Sequence, residues 1–106
     1  MKFKVHMLAF CKKGTVREVD IPKSALPTTQ PAHVLTTAIL ELIFRYGQNE
    51  FQPQKLPSVS VGDVIQGGSK DKPRYFEVAM AGFREVPKKK FDKMEGFRTQ
   101  RMDIPF

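Results

Sequence analysis

Groups able to do chemistry are few in this chain of 106 residues, and they are scattered. The two histidines, His6 and His33, fall in different segments, with no cysteine or carboxylate at metal-ligand spacing beside either. Each reads as a structural or surface residue, and no metal or cofactor is expected. Cys11 is the single cysteine and lies in a turn between Phe10 and Lys12. The neighbouring lysine would favour a thiolate, but a nucleophile also needs an ordered base, and none is identifiable. Ser58 and Ser60 have no glycine two residues before them, so neither sits in a nucleophile elbow. Gly67-Gly68-Ser69-Lys70 superficially resembles a phosphate loop but lacks the Walker spacing, and it reads as a hairpin turn.

Three groups of residues carry more weight. Asp63, directly after Gly62, has the form of a carboxylate that accepts N–H bonds within its own turn and so aims the next strand. A general acid or base at this position would want a second polar group converging on it, and none is nominated. Gln48, Asn49, Glu50 and Gln52, with Phe51 among them, form a dense polar cluster. Their amides can order the loop through backbone bonds or be offered to a ligand. The loop-ordering role is favoured, and with Asp63 this loop is the first candidate binding site. Finally, Lys88, Lys89, Lys90, Lys93, Arg98 and Arg101 interleave with Phe91 and Phe97. Cations beside stackable rings suit single-stranded nucleic acid, and the competing reading is a charged tail whose phenylalanines pack on the body.

The elements that must position these groups follow from periodicity. Residues 2–10 alternate, with Phe3, Val5, Met7 and Ala9 on one face and Lys2, Lys4 and His6 on the other, which predicts a strand. Cys11-Lys12-Lys13-Gly14 turns the chain, and residues 15–21 return as the second arm of a hairpin. Pro22 ends that arm. A helix is expected from Pro31, capped by Thr29 or Gln30, because Val34, Leu35, Ala38, Ile39, Leu42, Ile43 and Tyr46 form one stripe at helical spacing, and Gly47 stops it. A loop with two prolines follows. Strands are then expected around the Gly62-Asp63 turn, across residues 75–80 after a polar loop at 67–73, and at residues 83–86. Pro87 opens a basic tail, 87–106, in which Phe91 and Met94 are spaced for one helical turn.

Composition sets the class. An apolar fraction of 41% and a charged fraction of 27% are those of a globular chain, and the length suits one domain, residues 1–106. A lone cysteine excludes an internal disulfide, the apolar run within residues 31–47 is too short to span a bilayer, and no signal-peptide block is present. A cytoplasmic, non-membrane protein is expected. The net charge of +7 sits at the two ends: residues 1–23 carry six Lys/Arg against two acids, residues 24–66 two against three, and residues 67–106 ten against six. Such ends attract polyanions without sequence preference.

The middle of the chain, GQNEFQPQKLPSVSVGDVI followed by YFEVAMAGFREV, resembles small YodL-like domains and related domains of large polyvalent proteins from phages and conjugative elements. The resemblance spans residues 46–86 and implies a mobile-element setting with no catalytic residues. The turn at residues 67–73 and the basic tail depart from that pattern. VGDVI entering a strand is also similar to small barrels of the PUA and ASCH type, where it would imply RNA binding. The expected fold is α+β in the order β-β-α-β-β-β, an N-terminal hairpin, one amphipathic helix and two or three antiparallel strands, with the helix on one sheet face or inside a half-barrel. The expected function is that of a non-catalytic interaction domain whose partner is a host or phage protein, or nucleic acid, with self-association left open. The alternatives are an RNA- or DNA-binding module using the basic ends, or a small enzyme using Asp63 and the loop from Gln48 to Gln52.

Overall fold

A computed structural model of the protein describes residues 1–26 and 36–94. Within them the fold is α+β: a five-stranded antiparallel sheet, one helix, and a short second helix. Strand β1 (Lys2–His6) pairs with β2 (Val16–Asp20), placing Phe3 opposite Val19 and Val5 opposite Arg17. After a 3-10 turn at Lys23–Ala25 comes helix α1 (Thr37–Tyr46), then β3 (Val64–Gly68), β4 (Pro73–Ala79), β5 (Gly82–Val86) and helix α2 (Lys88–Lys93). The strand order across the sheet is β2-β1-β3-β4-β5, so the first strand is an inner one and β2 and β5 form the two edges.

Alternation sends Phe3, Val5, Val19, Ile65, Phe76 and Val78 to one face, where Ile39, Leu40 and Ile43 of α1 meet them. Each such burial contributes roughly 1.5–3 kcal/mol before the entropy of ordering is subtracted. The opposite face gathers a smaller cluster, in which Leu8, Val64, Tyr75 and Val86 are covered by Phe91 of α2. Of the tail that begins at Pro87, residues 87–94 are described, and they form this second cover.

Three details differ from the expectation. The described helix starts at Thr37, and its cap is Thr36, whose hydroxyl accepts the Ile39 N–H at 3.3 Å. The expected cap at Thr29 or Gln30, the Pro31 start and the stripe residues Val34 and Leu35 lie outside the described residues. The helix is also turned relative to the expected stripe: Leu40 is buried while Ala38 is exposed. Gly47 does end the helix, but with φ −79° it takes no left-handed cap. Glycine is required there because a Cβ would run into the Val59 side chain. Backbone and side chain meet at this point, with the Val59 N–H donating to the Gly47 carbonyl at 3.1 Å.

Candidate functional site

Asp63 is fully buried where the Gly62 turn, with φ +101°, launches β3. Its Oδ2 accepts the Ser60 N–H at 2.8 Å within the turn, and its Oδ1 reaches across the molecule to the Ala9 N–H at 2.9 Å. Burial pushes the carboxyl above its ordinary range, opposed by the N–H groups of Ala9, Ser60 and Leu8. The carboxylate therefore pins the chain leaving β1 onto the turn entering β3. The neighbouring Cys11 thiol is pushed up by its own burial and by the Asp63 charge, which lowers the thiolate fraction at neutral pH.

The polar loop after α1 is organised around a residue that sequence reasoning passed over. Arg17 alternates with Val19 on the α1 side of β2 and is fully buried. Its Nη1 donates to Asn49 Oδ1 at 2.9 Å and to the Pro57 carbonyl at 3.1 Å, and its Nη2 to the Gln52 carbonyl at 2.5 Å. Every acceptor is neutral, Nε has no acceptor among the described residues, and burial pushes the guanidinium below its ordinary pKa. Around this cation the loop closes on itself. Gln48 Nε2 donates to the Phe44 and Val59 carbonyls, Asn49 Nδ2 donates to the Leu56 carbonyl, and Ser58 Oγ accepts the Asn49 N–H. Gln52 Oε1 accepts the Asp20 N–H while its Nε2 donates to the Asp20 carbonyl, and Gln54 Nε2 donates to the Glu18 carbonyl at 2.9 Å. Two side-chain amides thus take the place of a sixth strand along β2. Phe51 is half exposed, its ring 5.8 Å from that of Tyr46. The structure brings Gln48, Asn49 and Gln52 together, but around Arg17, and leaves Asp63 in a separate turn. The signal that would have found Arg17 was its place in the alternation with Val19 and Ile21.

On the opposite face, Phe91 stacks on Tyr75 with centroids 4.0 Å apart and meets the edge of His6 at 4.7 Å. His6 Nε2 lies 2.8 Å from Gln66 Oε1. Burial lowers the His6 pKa, the Gln66 bond opposes that, and the charges of Lys4 and Lys13 lower it further. Lys13 Nζ donates to the Phe91 and Asp92 carbonyls at the end of α2. Lys88 pairs with Asp92 at 2.9 Å, and Lys89, Lys90 and Lys93 are exposed. The ring of Phe91 is thus occupied by Tyr75 and His6, with Lys13 Nζ 5.5 Å from its centroid, while Lys89, Lys90 and Lys93 are exposed. Phe97, Arg98, Arg101 and His33 lie outside the described residues.

At the other edge β5 presents backbone that no described residue pairs. Val78 bonds toward β3, its N–H donating to the Asp63 carbonyl and its carbonyl accepting the Gly62 N–H. Adjacent residues of a strand alternate in direction, so Glu77 and Ala79 bond toward β5 through their partners Arg84 and Gly82. Phe83 and Glu85 then direct their N–H and carbonyl groups away from the sheet, where no described residue pairs with them. Beside this edge runs a shallow cleft bordered by Phe44, Val61, Met80 and Phe83. Met80 is 94% exposed and Val61 51%. Charges here are internally matched: Arg74 grips Glu85 through two 2.7 Å bonds, and Arg84 pairs with Glu77.

Compared with known protein families, curated proteins and solved structures, the chain matches none. No described helix is long and apolar enough to cross a membrane.

Proposed function

We propose that the protein is a non-catalytic interaction domain that binds an extended polypeptide along the edge of β5. The observation that carries this reading is the outward N–H and carbonyl groups of Phe83 and Glu85, set beside the apolar cleft of Val61, Met80 and Phe44. A sheet edge offers main-chain hydrogen bonds, and an adjoining apolar cleft takes alternate side chains of the added strand. The phage or conjugative-element setting, with a host or phage protein as partner, rests on the resemblance of residues 46–86, and the cytoplasmic location on the lone cysteine, Cys11. Panning a random peptide library displayed on phage against the full chain tests the edge. Peptides with alternating apolar residues should be enriched and should lose binding to Glu85→Pro, which removes an outward N–H that β4 does not use. No enrichment, or equal binding to the variant, overturns the reading.

A second reading is supported by a separate observation, the exposed Lys89, Lys90 and Lys93 on the α2 side of the sheet. With Phe91 packed against Tyr75, contact with RNA or DNA there would run through phosphates. Gel shifts of single-stranded RNA should then weaken steeply with salt and be lost when Lys88, Lys89 and Lys90 are all changed to alanine. Absence of retardation at low salt removes this reading.

A further inference from the structure

Resting on the reading of β5 as the binding edge, we propose that the strand added there is β5 of a second copy of this chain, antiparallel about a two-fold axis at Phe83. A two-fold contact is isologous, so the strand must be complementary to itself. Only outward-directed residues can form its hydrogen-bonded pairs, and within β5 these are Phe83 and Glu85. Three registers satisfy that condition. Pairing Phe83 with Glu85 of the copy sets two Arg84 side chains opposite each other. Pairing Glu85 with itself opposes two carboxylates and runs Phe83 against Pro87, which has no N–H to give. Pairing Phe83 with itself sets Arg84 opposite Gly82 and directs the outward N–H of Glu85 to the Ala81 carbonyl of the copy, just before its β5, with no like charges face to face. Like charges directly opposite destabilise a strand pair, so the third register is selected.

The surroundings fit the same occupant. Phe83 lies on the α1 side of the sheet, so its meeting with a second Phe83 extends the apolar cleft across the axis and covers Met80 and Val61. The chain carries +7, which would repel a copy. At this edge, however, Arg74 is matched by Glu85 and Arg84 by Glu77. The edge is locally neutral, and the surplus lysines of α2 lie on the other face.

Sedimentation of the full chain across a wide concentration range reads this directly. The wild type should pass from monomer to dimer, and Glu85→Pro should weaken the dimer about tenfold or more. Phe83→Asp and Phe83→Lys should each remain monomeric, while their equimolar mixture associates, because opposite charges then meet at the axis. If either Phe83 variant fails to fold by circular dichroism, Glu85→Pro decides the outcome alone. A wild type that stays monomeric while panned peptides still bind through the β5 edge overturns the second copy and leaves the interaction reading standing. Monomer without such peptides overturns both. A dimer indifferent to Glu85→Pro is built on another surface and also overturns the proposal.

Discussion

The two edges of the sheet are finished in opposite ways. Along β2, the amides of Gln52 and Gln54 bond to the backbone of Asp20 and Glu18, and Arg17 anchors the loop that carries them. Along β5, no described residue pairs with the outward groups of Phe83 and Glu85. Exposed edges invite strand addition, and proteins ordinarily blunt them. A fully buried guanidinium and two glutamines seal one edge, whereas apolar Met80 and Val61 stand beside the other, so among the described residues only the β5 side is open to strand addition. The contrast concerns specificity more than stability, because buried cations are costly to desolvate.

The largest break in this contrast should come from Arg17→Ala. It removes a well-packed side chain, leaves the carbonyls of Gln52 and Pro57 without their donor, and leaves Asn49 Oδ1 with the Gln54 N–H alone. A loss of roughly 3–4 kcal/mol is expected in urea denaturation, with faster amide exchange along β2. Arg17→Met, which keeps the bulk, should lose less. Gly47→Ala comes next. It forces a Cβ against Val59 where the sealing loop is tied at both ends, and should cost about 1–3 kcal/mol with β5 exchange unchanged. Replacing Gln52 and Gln54 together by alanine should cost about 1–2 kcal/mol. Its sharper signature is a second associating edge, seen in sedimentation as species beyond any formed through β5.

The smallest effect lies in pH and concerns the cover of α2. Folding lowers the His6 pKa below its ordinary 6.5, mainly by burial. The unfolded chain therefore binds more protons than the folded one as pH falls through 6.5, and His6 lowers stability progressively until its folded pKa is passed. Above 6.5 this contribution to stability is fully present. Denaturation at a series of pH values should show this slope, and His6→Gln should flatten it.

Much of the scaffold was legible because period alone declares it. Phe3, Val5 and Met7 alternate, Ile39 and Ile43 are spaced as a helix, and residues 75–79 alternate again. The phase of α1 was less legible. Ala38 and Leu40 both border an apolar stripe, and which of them is buried depends on where the sheet lies. Asp63 was readable as a turn carboxylate through Gly62 before it, whereas its bond to Ala9 joins residues 54 apart and leaves no local trace. Arg17 escaped because its charge masked its place beside Val19 and Ile21. The glutamine seal was invisible for a related reason, since Gln52 meets Asp20 across 32 residues. The openness of β5 depends on strand order, which no single segment carries.

That β1 lies inside the sheet bears on how the molecule is born. His6 meets Gln66 across 60 residues, so β1, once made, must wait for that much more chain before its second flank is filled. Until then a nascent hairpin carries one bare margin, and closing so long a loop is slow. Shelter by the exit tunnel or a chaperone would count most in the interval before Val64 emerges.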